Sequence, residues 1–104
     1  MEYFNTRTTL DEVAGSGVSL VDFGAAWCGP CKAQGPVIRK VAEKFQGLAE
    51  IKEVDIDQHR DLALQLGIQS VPTLILFKDG HEVQRLIGLQ NETKLTQAIN
   101  AALA

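Results

Sequence analysis

Two cysteines stand in the chain, Cys28 and Cys31, two residues apart in Trp27-Cys28-Gly29-Pro30-Cys31-Lys32. An apolar run from Val18 to Phe23 precedes them, and helical spacing over 33–45 follows. A cysteine at a helix start faces unpaired backbone N–H groups and the positive end of the helix dipole, which favour the thiolate. The spacing therefore predicts dithiol–disulfide exchange. Cys28 is expected to be the nucleophile. Cys31, one turn inside the helix, is expected to be more buried and to resolve the intermediate. Pro30 stiffens the turn without costing a hydrogen bond, and Gly29 permits close approach of another chain. A zinc site is the rival reading, because CxxC is half of a four-ligand set. The remaining ligand candidates, His59 and His81, lack the H-x3-5-H spacing.

Asp22 is the second chemical residue. A carboxylate inside an apolar strand is expensive to bury when charged, so its pKa rises. Alternation puts Asp22 on the face of Leu20 and opposite Phe23. From beneath the cysteines it is suited to take the Cys31 proton. The bland reading is a strand-end acid reaching water. Pro72, between Val71 and Thr73, cannot donate into a ladder and marks a strand start. A cis bond there leaves the Val71 backbone free for a substrate strand. Trp27 is suited either to packing or to an apolar docking face beside the thiolate.

The elements that must position these groups are readable in order. Thr9-Leu10-Asp11-Glu12 is a capping box opening a helix over about 9–15, after a brief strand near 2–5. The strand 18–23 leads into the cysteines. The helix after Pro30 carries Val37, Ile38, Val41, Ala42 and Phe45, and holds Pro36 inside it. A strand over 51–56, a helix over 60–66 and a strand over 73–77 follow. Asp79-Gly80 supplies the positive φ of a hairpin, and residues 82–87 return. A helix capped by Asn91 buries Leu95, Ala98, Ile99, Ala102 and Leu103. The order β-α-β-α-β-α-β-β-α implies a mixed sheet with helices on both faces.

Bulk properties narrow the class. With 104 residues, 45% of them hydrophobic, the chain suits one domain over 1–104 with a core of its own. The net charge of −3, without a basic run, argues against nucleic acid and anionic membrane as partners. Neither a leader pattern at Met1-Glu2-Tyr3-Phe4-Asn5 nor a membrane-length apolar stretch is visible, which points to the cytoplasm. In that reducing setting the cysteines are expected to be catalytic or metal-binding rather than a structural staple.

Over nearly its full length the chain resembles the thioredoxin family. The resemblance rests on Val21-Asp22-Phe23-Gly24-Ala25-Ala26-Trp27-Cys28-Gly29-Pro30-Cys31-Lys32, on Pro36, on Val71-Pro72-Thr73, and on Asp79-Gly80 followed by Gly88. It implies an α/β thioredoxin fold, with a five-stranded mixed sheet of order 1-3-2-4-5, four flanking helices and a cis Val71-Pro72 bond. It further implies a monomer that reduces protein disulfides, bound to no cofactor beyond its reversible Cys28–Cys31 disulfide. A thioredoxin reductase would recycle it. Disulfide-containing targets would dock on Trp27, Gly29, Pro30, Val71, Pro72, Gly88 and Leu89. Alternatives on the same fold are a binding or chaperone subunit, and a disulfide oxidase or isomerase. The last often has histidine where Pro30 stands, and that residue favours the reduced form.

Two positions and one short stretch depart from the family pattern. Glu53 replaces a lysine common near the buried acid and, if it points the same way, would raise the Asp22 pKa further. Gly24 replaces a bulky aromatic, and Ala33-Gln34-Gly35 replaces apolar residues.

Overall fold

The computed structural model describes residues 2–3 and 9–104. Their elements are β1 (Glu2–Tyr3), α1 (Leu10–Ala14), β2 (Val18–Gly24), α2 (Gly29–Lys44), β3 (Glu50–Asp55), α3 (Arg60–Gln65), β4 (Thr73–Lys78), β5 (His81–Ile87) and α4 (Glu92–Leu103). The expected order holds. The expected five strands reduce to four full ones. The sheet proper is β3-β2-β4-β5, with β2 parallel to β3 and antiparallel to β4. The fifth is a two-residue pairing at the outer edge of β3, matching Glu2 with Lys52 and Tyr3 with Glu53. Two register pairs add little to a ladder whose strands usually run to about five or six residues. Residues 4 and 5 of the expected first strand lie outside the described residues.

Local chemistry explains where the elements start and stop. Thr9 and Glu12 form the capping box, with Glu12 N–H on Thr9 Oγ1 at 3.3 Å and Thr9 N–H on Glu12 Oε1 at 3.3 Å. Asn91 Oδ1 accepts the Lys94 N–H at 2.8 Å and caps α4. The β4–β5 hairpin turns through Asp79 at φ 51° and Gly80 at φ 86°, the two left-handed residues of a type I′ turn.

Strand alternation divides the core in two. On one face Leu20, Leu74 and Leu76 meet Ile38, Val41 and Phe45 of α2 and its end, and Leu95, Ala98 and Ile99 of α4. On the other, Val21, Phe23, Ile75 and Phe77 meet Val13 and Ala14 of α1 and Leu62 of α3. Asp22 shares the α2 face with Leu20, as alternation requires. Leu103 is a correction: it is exposed, because it stands beside the buried stripe of Leu95, Ala98, Ile99 and Ala102 rather than on it.

One buried side chain has no counterpart in the apolar pattern. Lys52 is buried on the α1 face of β3. Its Nζ donates to Glu12 O at 3.2 Å and to Val13 O at 2.8 Å, and pairs with Glu50 Oε2 at 3.0 Å. These carbonyls belong to the last turn of a five-residue helix, where orphan acceptors are left over. The ammonium satisfies them and ties α1 to the sheet.

Candidate functional site

Cys28 ends the loop from β2 and is the N-cap of α2, with extended φ/ψ of −95° and 114°. Its Sγ accepts the Cys31 N–H at 3.1 Å, so a donor freed by the helix start points at the sulfur. Pro30 lies in the first turn, where its missing N–H costs nothing. Cys28 and Cys31 are joined as a disulfide, their Cα atoms 5.2 Å apart.

The relative burial of the two cysteines reverses the expectation. Cys28 is only 5% exposed, whereas Cys31 is half-buried. Cys28 is tucked against the loop before β4, its Sγ 3.7 Å from Val71 O. Cys31 faces a cleft of about 300 Å³ lined by Asp22, Gly24, Glu53, Asp55 and Gln58. Gly24 is the cause. A Cβ built there would stand 3.3 Å from both Cβ and Sγ of Cys31, so even an alanine would crowd the sulfur that glycine leaves open.

Asp22 lines the same cleft as Cys31 and is 6% exposed. Its Oδ1 is buried and has no hydrogen-bond partner among the described residues. Burial, and secondly the charge of Glu53, push its pKa from 3.8 up to about 7. The register sets Glu53 directly beside Asp22 on the neighbouring strand. Glu53 therefore faces the buried acid, which the sequence left open. Among the described residues no group of three or more His, Cys, Asp or Glu side chains could hold a metal ion. His59 lies against Asp55 O, with Nδ1 at 3.1 Å, and His81 opens β5.

The face around Cys28 is apolar, with Pro72 buried in it and Val71 and Gly88 half-buried. The Trp27 indole is 69% exposed, and its Nε1–H donates to Asp57 Oδ2 at 2.8 Å. That bond fixes the ring outside the core, so plain packing does not account for it. The Val71–Pro72 bond is cis. Gly88, at φ 89°, donates its N–H to Pro72 O at 2.9 Å. Trp27, Val71, Pro72 and Gly88 thus come from three loops, and Gly29 and Pro30 are exposed beside them. Ile87 and Leu89 are exposed as well.

The Thioredoxin family model matches residues 3–101. The chain belongs to the thioredoxin family. It is 41% identical to the thioredoxin of Staphylococcus haemolyticus and 40% identical to that of Staphylococcus aureus, over 94% of each chain. Among solved structures, a mutant thioredoxin from Halobacterium salinarum superposes with a TM-score of 0.87 at 40% identity, covering 98% of this chain and 89% of the other. Thioredoxin from Malassezia sympodialis superposes at 0.86 with 32% identity, covering 98% and 90%.

Membership and the bonded Cys28–Cys31 pair together make this thioredoxin-family chain a thiol–disulfide oxidoreductase that reduces disulfides through that pair. Reasoning from the sequence missed the Trp27–Asp57 bond and Gln34. The latter is fully buried on α2. Its signal was available, since 34, 38, 41 and 45 share one helical face with the apolar stripe.

Proposed function

We propose that the chain, as a single domain over 1–104, is a cytoplasmic, monomeric electron donor to protein disulfides. The observation that carries the reading is the Cys28 sulfur, capped by the Cys31 N–H and set under an apolar rim. Reduced Cys28 attacks one sulfur of a target disulfide. A mixed disulfide forms and the first target thiolate leaves. The Cys31 thiol gives its proton to Asp22 and attacks Cys28 Sγ. The Cys28–Cys31 disulfide forms, and the second target thiolate departs. The target has gained two electrons and the chain has lost two. A thioredoxin reductase returns them.

The docking role of Trp27, Val71, Pro72 and Gly88 is supported by their convergence on Cys28 and by the exposed indole. Gly29 and Pro30 tune the pair through the helix start. The cleft beside Cys31 supports Asp22 as the proton acceptor.

Insulin reduction with dithiothreitol as the electron source tests the roles. Cys28→Ser should abolish catalysis. Cys31→Ser should accumulate a mixed disulfide with a target, because the resolving sulfur is gone. Trapping by Cys28→Ser instead would reverse the two assignments. A redox titration separates reductant from oxidase or isomerase, since a potential above the glutathione pool's would make the pair an oxidant.

A further inference from the structure

Gln34 lies one turn beyond Cys31 on α2, fully buried among apolar side chains. A primary amide in such a place is unfavourable unless its polar atoms are bonded. Both are. Its Nε2 donates to Gln90 O at 2.9 Å, and its Oε1 accepts the Gln90 N–H at 2.8 Å. One side chain thus meets both backbone groups of Gln90, as a neighbouring strand would.

The bonds continue outward. The Gln90 side chain turns back, its Nε2 donating to Ile87 O at 3.2 Å and to Gly88 O at 3.1 Å. Gly88 N–H donates to Pro72 O at 2.9 Å. Val71 O, one residue earlier, stands 3.7 Å from Cys28 Sγ, the N-cap of α2. The path leaves α2 at Gln34, passes through Gln90, Gly88 and Pro72, and returns to α2 at Cys28. Inside this ring lies the connection between β5 and α4. It presents Ile87 and Leu89 at 66% and 53% exposure.

We propose that Gln34 is a positioning residue for protein substrates: through Gln90 it holds the Ile87–Gln90 segment at a fixed height beside Cys28. This inference rests on the docking role given above to the rim around Cys28. A segment already ordered in the free chain need not be ordered when a target binds. Loosening it weakens ground-state and transition-state binding alike, which raises KM and leaves kcat in place. A small disulfide meets only the sulfur and gains nothing from the segment.

The test compares the unsubstituted chain, Gln34→Leu, Gln90→Ala and Leu89→Ser, using insulin and bis(2-hydroxyethyl) disulfide as substrates. Amide hydrogen exchange of residues 87–90 is measured beside the kinetics. Gln34→Leu should raise KM for insulin roughly three- to tenfold, hold kcat within about twofold, spare the small-disulfide rate and speed exchange at the Gln90 amide. Gln90→Ala removes only the ties to Ile87 and Gly88, so its KM rise should be smaller and of the same kind. It decides the matter alone if Gln34→Leu does not fold.

An unchanged insulin KM in the folded glutamine variants overturns the proposal. So does a parallel loss of both substrates' rates, which would make Gln34 a packing residue. If Leu89→Ser raises KM and the glutamine variants do not, the latch falls and the docking surface stands. If Leu89→Ser has no effect, the docking surface falls and the latch with it.

Discussion

Burial, and secondly the Glu53 carboxylate beside it on the neighbouring strand, make Asp22 sensitive to pH. Its carboxyl holds a proton in the fold up to about pH 7, against 3.8 in the unfolded chain. The folded state therefore gains from protonation. The gain is full below about 3.8 and is lost as the pH climbs through about 7. Asp22→Asn should thus be more stable than the parent by roughly 2–4 kcal/mol at pH 8, and nearly equal to it at pH 3. Urea melts at the two pH values measure this. An equal difference at both would show that the charge is not the cause. Glu53→Lys replaces a repelling neighbour with an attracting one. The pH limb for mixed-disulfide resolution should then move down by roughly one unit, as read in stopped-flow tryptophan fluorescence.

At the scale of elements, β2 and α2 were legible because their signals are strong. An apolar run ends at a CxxC, and a helical stripe begins there. The buried acid was legible for the same reason, since Asp22 interrupts that run. Cys31 was misjudged because depth in a helix was equated with burial. What uncovers it is a missing side chain on β2, and no periodicity reports that. Gly24→Ala should therefore close the approach to Cys31. In the reduced chain, alkylation of Cys31 by iodoacetamide should slow several-fold, while that of Cys28 is unchanged. Peptide mass spectrometry follows each cysteine. At the start of α4, Asn91→Ala removes the helix cap and should cost about 1 kcal/mol in thermal or urea unfolding.

Across the whole molecule, the two core faces carry different kinds of contact. The α2–α4 face is apolar except where the Asp22 carboxyl and Gln34 enter it. The opposite face holds Lys52 under α1. The sequence concealed Lys52 because a lysine between Ile51 and Glu53 reads as the solvated half of an alternating strand. Only the position of the α1 carbonyls shows that it turns inward. Lys52→Met keeps the stem but leaves the Glu12 and Val13 carbonyls without their donor. It should destabilise the fold by about 1–3 kcal/mol.

The same lysine bears on how the chain meets amine-directed chemistry. An amine nitrogen held by two carbonyls and a carboxylate, and closed off from solvent, is out of reach of an acylating reagent. The exposed lysines will react while Lys52 does not, until α1 lifts from β3. The slow acetylation of one residue then becomes a clock for how often that edge of the molecule opens.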